Sequence, residues 1–256
     1  MKLENIVKIF KQGFGLYDFI IFVATLLSIA LVILLGFMVT LKYLINKEYF
    51  EDLYADINSE YIMPQILPDL ISDEETEYII SKSQDRFVES TVVSGKTGNE
   101  IVKKARDSKT AWLSKNDPVI RQIILRVCDI TGKNIDNCED LQIVKYGPSG
   151  YYNEHHDSCC DDTEACANFS KDLGNRVRTC VIYLTDGFEG GATKFPRLNF
   201  EVKPPKNSAV LFHPMDITEK KCHPLALHAG TPVLSGTKMI ANVWIREKSF
   251  DSRTSI

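Results

Sequence analysis

The sequence predicts an α+β fold: a double-stranded β-helix, or jelly roll, with supporting helices on its N-terminal side and one transmembrane helix ahead of them. Three observations carry this. The run from Phe19 to Leu41 holds no charged residue, although charged residues make up 25% of the chain. The stretch after it carries helix-start signals and helical spacing. From Leu141 onward the chain turns into short β-rich runs broken by Gly, Pro and Asn.

The uncharged run comes first. About 20 apolar helical residues cross a bilayer core, so it is long enough to span. A cleaved signal peptide is the competing reading, but its apolar part is usually ~7–15 residues and ends at small residues. Here a longer run is followed by Lys42-Tyr43-Leu44. It is therefore read as a retained anchor over residues 19–41, between a short tail (1–18) and a charged stalk (42–60). Lys2, Lys8 and Lys11 precede it and Lys42 and Lys47 follow it, a slight bias toward a cytoplasmic N-terminus.

A chain of 256 residues has room for one sizeable domain besides the anchor. That domain is expected over residues 61–250, with its β-helix core at about 139–247 and a tail at 251–256. Ser72-Asp73-Glu74-Glu75 has capping-box spacing before Tyr78, Ile79 and Ile80, and starts a helix. Asp117-Pro118 supplies an N-cap with proline at the first helical position, and helical spacing runs on to Gly132. The later runs LQIVKY, RTCVIYL, AVLFH, LALHAGTPV and TKMIANVWI read as strands, with a turn at Leu234-Ser235-Gly236. No long helical pattern separates them, which favours a sandwich or barrel over a parallel α/β sheet.

The net charge of −4 argues against general nucleic-acid binding, which needs a basic face. Seven cysteines cannot all pair within one chain. The cluster Cys159, Cys160 and Cys166 is compatible with a disulfide in an oxidising lumen. Asn168-Phe169-Ser170 is a glycosylation sequon that fits the same compartment. A lumenal catalytic domain on an endoplasmic reticulum membrane follows as the expected location.

All five histidines lie between His155 and His228. On a strand, residues two apart share a face, so His155 and Asp157 are expected to reach one metal while His156 points away. With His228 from another strand they make the two-imidazole, one-carboxylate triad of non-haem Fe(II) oxygenases. In the last strand Lys238, Ile240, Asn242 and Trp244 share one face. A lone lysine buried there is costly unless a dianion receives it; 2-oxoglutarate is such a dianion. A zinc cluster of His155, His156, Cys159, Cys160 and Cys166 is the rival, but adjacent cysteines fit zinc-motif spacing poorly.

Five elements then fall in order: Tyr146 to Asp157, Arg176 to Leu184, Gly190 to Pro196, Pro205 to Phe212, and His228 to Lys238 followed by Trp244. From about residue 64 to 248 the chain resembles the prolyl 4-hydroxylase catalytic family, above all its compact membrane-anchored forms from large DNA viruses and algae. The resemblance implies hydroxylation of peptidyl proline to 4-hydroxyproline, with release of succinate and CO2. It implies Fe(2+) held by His155, Asp157 and His228, with no catalytic side chain beyond that centre. It implies 2-oxoglutarate held by Lys238, with Tyr146 and Thr179 as hydroxyl donors to the same carboxylate. L-Ascorbate is implied as reductant, and Tyr152 and Trp244 as residues that hold the substrate, a proline-containing peptide or collagen-like protein. No disulfide-isomerase subunit is implied. Two positions depart: Asn207 stands where the family often has Gly, and Arg246 where it often has His. Ser158 to Asp172 is a cysteine-bearing insertion and a candidate lid. The alternatives are the same chemistry on lysine or another peptide side chain, and a non-catalytic, membrane-tethered metal- or peptide-binding module.

Overall fold

The computed structural model describes residues 15, 19–38, 61–94, 98–100, 104–159, 161 and 163–250. The expected stalk, the C-terminal tail, the N-terminal tail apart from residue 15, and the end of the anchor, 39–41, lie outside the described residues. The chain divides into two units, Met1–Asp56 and Ile57–Ile256. In the first, Phe19–Met38 forms a 20-residue helix of mean hydropathy 2.9, none of it buried, long and apolar enough to cross a membrane.

In the second unit the strands, in chain order, are β1 (Gln65–Leu67), β2 (Val88–Glu89), β3 (Val92–Ser94), β4 (Gly98–Glu100), β5 (Arg106–Asp107), β6 (Lys109–Leu113), β7 (Leu141–Tyr146) and β8 (Tyr151–His155). They continue as β9 (Arg176–Tyr183), β10 (Phe188–Gly190), β11 (Thr193–Phe195), β12 (Phe200–Val202), β13 (Ala209–Phe212), β14 (His228–Gly230), β15 (Val233–Gly236) and β16 (Lys238–Arg246). A seven-stranded sheet runs β1-β13-β9-β16-β7-β6-β2, and a five-stranded sheet runs β12-β11-β14-β8-β5. Two short pairs, β10-β15 and β3-β4, complete the set among the described residues. The jelly-roll expectation holds.

Alternation along the central strands divides the interior in two. On β16, Met239, Ala241, Val243 and Ile245 join the larger apolar core, together with Leu141 and Ile143 of β7 and Cys180 and Ile182 of β9. The helices Asp73–Ser83 and Pro118–Thr131 close that core through Ile79, Ile120, Ile123, Ile124 and Val127. On the opposite face Val144, Tyr146, Val181, Tyr183, Val210 and Ile240 pack with Phe195 of the second sheet. The functional cavity opens on this second face.

Both helix starts form as predicted. Ser72 accepts from the Glu75 backbone N–H, and Glu75 accepts from the Ser72 backbone N–H. Asp117 caps Val119 and Ile120, Pro118 opens the helix, and Gly132 ends it at φ 65°. Asn207, in the family's glycine position, sits at φ 71°. Asparagine tolerates that region better than other residues with a Cβ. Its side chain also accepts from Thr76 and donates to Asp73, fastening the turn to the first helix.

Two expectations are corrected. LALHAGTPV is not one strand, because it divides into β14 and β15 around Pro232. The turn expected at Leu234-Ser235-Gly236 is strand, since β15 pairs with β10. Gly236, at φ 77°, ends that pairing, and a Cβ there would lie 2.2 Å from the Gly187 carbonyl oxygen. In addition, β1, β2, β5 and β6 come from the half of the chain read as helical and widen both sheets.

Asp117 caps a helix and also accepts from the Tyr78 hydroxyl at 2.7 Å. Asp117→Ala should therefore cost ~0.5–2 kcal/mol. The measurement is the thermal midpoint, expected to fall by a few degrees; an unchanged midpoint would mean the cap contributes nothing.

Candidate metal centre

Strands β8 and β14 pair so that His228 lies directly opposite His155. Their ring centroids are 4.2 Å apart. Asp157 lies just past the end of β8, in a bend rather than in the strand that the sequence reading assumed. It still faces both imidazoles: Oδ1 is 3.8 Å from His155 Nε2, and Oδ2 is 3.9 Å from His228 Nε2. One ligand atom from each of the three residues lies within 4.8 Å of the others.

The tautomers are set locally. His155 Nδ1 bonds the Asn153 carbonyl at 2.7 Å, and His228 Nδ1 bonds the Ala226 carbonyl at 3.1 Å. A carbonyl only accepts, so each Nδ1 carries the proton and each Nε2 keeps its lone pair for the centre. Burial, reinforced by His228, holds His155 well below its ordinary value, so it stays neutral. Burial alone would raise the Asp157 carboxyl, but His228, His155, Arg176 and the Thr179 bond together hold it below the usual range. Neutral imidazoles and an ionised carboxylate are the forms that bind a metal. The donor set fits Fe(II).

Asp157 Oδ2 accepts from Thr179 Oγ1 at 2.7 Å and from Trp244 Nε1 at 3.1 Å. This corrects the sequence reading of Thr179. Thr179 pairs with Trp244, whereas Lys238 pairs with Tyr146. Six residue steps along β16 separate the two positions, about 20 Å at strand rise. Thr179 therefore orients the metal-facing carboxylate and cannot share a carboxylate with Lys238. Trp244 has the same commitment through its N–H, and the Arg176 guanidinium covers its ring at 3.4 Å. Trp112, in contact range of the cavity, lies 6.1 Å from Trp244 between ring centroids.

Lys238 is 2% exposed. Its Nζ lies 5.3 Å from the Tyr146 ring and 5.0 Å from the Tyr183 ring. Among the described residues no carboxylate pairs with it, and burial, with a smaller push from Lys203, draws its pKa down to about 7. Tyr146 stands opposite it in the β7–β16 register. The sequence reading missed Thr193, which is buried, lines the cavity and bonds Tyr183 through its hydroxyl at 2.8 Å. The signal was present in Gly190-Gly191-Ala192-Thr193, where Thr193 and Phe195 alternate on one face.

Tyr152 stacks on His155 at 3.5 Å between ring centroids, with the Arg106 guanidinium 4.6 Å from its ring. The cavity that these groups line has a volume of about 560 Å³. At its rim Glu139 accepts from Arg176 Nε at 2.7 Å and from Arg246 Nε at 2.6 Å. Arg246 lies 3.9 Å from the Phe169 ring and donates to the Gly174 carbonyl. Phe169 belongs to the helix Glu164–Ser170 in the cysteine-bearing insertion, and a Cys159–Cys166 disulfide ties that segment. The disulfide removes two thiolates from the zinc reading; Cys160 lies outside the described residues. His223 accepts from the Leu225 backbone N–H and stacks on Tyr61, a structural role. His156 also lines the cavity rather than pointing away from it, with a buried Nδ1 that has no hydrogen-bond partner among the described residues.

A helix-backed jelly roll with this centre is that of the 2OG-Fe(II) oxygenase superfamily, whose family model matches residues 141–246. A protein of Acanthamoeba polyphaga mimivirus, assigned as a prolyl 4-hydroxylase, is 42% identical over 77% of this chain and 79% of its own length. The rat prolyl 4-hydroxylase subunit alpha-1 is 35% identical over 78% of this chain, which spans only 38% of that subunit. Among solved structures, the viral collagen prolyl hydroxylase of Paramecium Bursaria Chlorella virus-1, in its 2OG complex, superposes with a TM-score of 0.56. It is 29% identical and covers 72% of this chain and 95% of its own. The chain belongs to the prolyl 4-hydroxylase family of these oxygenases.

His155→Ala or Asp157→Ala should abolish 2-oxoglutarate turnover and lower bound iron to background while leaving the thermal midpoint near wild type. Metal analysis beside succinate release checks this; a variant with normal iron content and turnover removes its residue from the centre.

Proposed function

We propose that this chain is a membrane-anchored peptidyl-proline 4-hydroxylase in which His155, Asp157 and His228 hold Fe(2+). Lys238 receives the far carboxylate of 2-oxoglutarate, with hydroxyl help from Tyr146 and Thr193. The observation that carries the reading is the pairing, in one cavity, of a metal-ready triad with a buried lysine that no acid neutralises. Iron and 2-oxoglutarate, when bound, would supply the chemistry with dioxygen as the oxidant: one oxygen atom of O2 goes into the succinate formed as 2-oxoglutarate loses CO2, and the other goes to C4 of proline as hydroxyl. The chain's own residues bind and orient. Thr179 and Trp244 fix the Asp157 carboxylate, the two carbonyl bonds fix the imidazoles, and the Tyr146–Lys238 end sets the reach of the cosubstrate. Tyr152 and Trp244, both lining the cavity, serve as aromatic walls for a pyrrolidine ring. L-Ascorbate is the proposed reductant.

The substrate class is a proline-containing peptide, collagen-like protein included. A single-pass anchor, an N-terminus in the cytoplasm and a catalytic domain in the lumen of the endoplasmic reticulum complete the proposal. It is supported by the apolar Phe19–Met38 helix, by the Cys159–Cys166 disulfide and by the exposed sequon residue Asn168. Disulfides persist in oxidising compartments. The experiment is incubation of the full chain with Fe(II), 2-oxoglutarate, ascorbate and matched proline and lysine peptides, read by mass spectrometry. Oxygen gained at proline C4 is the expected result; oxygen on lysine, or none on any peptide, overturns the substrate.

Lys238 gives a sharper test. Removing one partner of a buried ion pair costs ~3–5 kcal/mol, so Lys238→Ala should weaken apparent 2-oxoglutarate affinity roughly a hundred- to several-thousand-fold. Lys238→Arg should recover part of it, because the charge survives in a different shape. The pH dependence has a definite sign. A dianion favours the charged lysine, so binding takes up a proton where the free pKa is about 7. Affinity should be highest below that pH and fall by up to about tenfold per unit above it, and Lys238→Arg should flatten the fall. Titration of succinate release against 2-oxoglutarate at several pH values checks both; wild-type affinity in Lys238→Ala would require another cation.

A further inference from the structure

We propose that Cys128 and Cys138 are the site of a further disulfide, one that fastens the Pro118–Thr131 helix to the segment leading into β7. Their sulfurs lie 3.4 Å apart. Closure to a bond of ~2.05 Å asks for an approach of only about 1.4 Å. Both are buried in the helix-side core, Cys128 at 4% and Cys138 at 0% exposure. Their setting is also held in place on both sides. The helix that carries Cys128 ends at Gly132, whose backbone N–H donates to the Cys128 carbonyl. Cys138 is bridged to Ile245 of β16, and its carbonyl accepts from Lys115 Nζ at 2.8 Å.

Elsewhere in the same unit the chain is already oxidised. Cys159 is bonded to Cys166, and Cys222 is disulfide-bonded as well. A compartment that maintains those bonds supplies the oxidant this pair needs, a disulfide-bearing thiol oxidant such as oxidised glutathione. The Cys128 thiolate attacks the oxidant's disulfide and displaces one thiol. The Cys138 thiolate then attacks the mixed disulfide at the Cys128 sulfur and displaces the second. Two cysteine thiols lose two electrons and two protons, and one oxidant disulfide becomes two thiols. Because both sulfurs are buried, the exchange belongs to folding, before the helix packs on the sheet.

The bond has a bearing on the cavity. Glu139 follows Cys138 directly, its backbone N–H donates to the Trp244 carbonyl at 3.0 Å, and its carboxylate holds Arg176 and Arg246. Arg176 in turn covers Trp244. The disulfide fixes the backbone from which Glu139 reaches these arginines, making Cys138 a positioning residue for the rim. None of this depends on which substrate the cavity takes.

The test is a disulfide map of the full chain produced in an oxidising compartment, trapped with N-ethylmaleimide in denaturant and digested without reduction. Cys128, Cys138 and Cys180 are all free thiols in the structure; in the oxidised chain a linked Cys128–Cys138 peptide pair is expected, with Cys180 fully alkylated and Cys159–Cys166 linked. In Cys138→Ala, Cys128 should become alkylated to the extent of Cys180. If Cys128 and Cys138 are both alkylated in the wild-type chain while Cys159–Cys166 is linked, they are packed core thiols and the proposal falls. A link from either residue to a different cysteine overturns it equally. The wild-type map decides the matter even if the variant fails to fold.

Discussion

Strand β16 is buried on both faces at all nine of its positions, and the rest of the domain is arranged around that constraint. A strand with two buried faces has to satisfy two interiors at once. Its odd-numbered residues Met239 to Ile245 meet an apolar, helix-backed core that gains stability from tight packing. The residues between them, Lys238 to Trp244, face a polar cavity. One backbone thus sets the spacing between a cation at one end and an indole donor at the other, and neither can move without disturbing the hydrophobic core behind it. The neighbouring strands carry the groups that meet these ends: β7 brings Tyr146 to Lys238, and β9 brings Thr179 to Trp244.

Charge is distributed unevenly along this scaffold. At the triad end a buried carboxylate is surrounded by imidazoles, a hydroxyl and an indole N–H, each favouring its ionised form. At the rim one glutamate serves two arginines. At the far end a lysine lies between two aromatic rings, with no carboxylate paired to it among the described residues and its pKa drawn down to about 7 by burial. An isolated ammonium in such a place destabilises the empty fold. On the proposed reading an entering anion offsets that cost, which is why the far end, more than the metal triad, distinguishes this site from a simple metal-binding one.

What the sequence made legible followed from chemistry that is local or expensive. The Ser72 and Asp117 caps are spelled out within four residues. Lys238 betrayed itself because a lysine in an alternating, otherwise buried strand demands a reason. His155 and Asp157 were found by their spacing, although the bend that places Asp157 was not the strand assumed for it. What stayed hidden was register, which is set between segments far apart in the chain. Nothing within Arg176 to Leu184 says that Thr179 lies opposite Trp244 rather than near Lys238. Thr193 was overlooked for the same reason, because its nearness to Lys238 runs through Tyr183. The short strands β2 and β5 are too brief to show any period, and they acquire their character from the strands they pair with. Asn207 was flagged as a departure, yet its meaning needed the backbone, where a positive φ and two side-chain bonds let an asparagine do the work of a glycine.

The bond from the Trp244 indole to Asp157 has an optical consequence. The chain contains only two tryptophans, and the second, Trp112, lies beside the first. Intrinsic emission from this protein therefore originates almost wholly at the edge of one cavity. A cation that draws on the Asp157 carboxylate would change the electron demand on the indole N–H that this carboxylate accepts from, and a paramagnetic ion held there would quench the excited state. The fold thereby carries its own fluorophore at the point where occupancy is decided, and filling of the centre can be followed in the unlabelled protein by light alone.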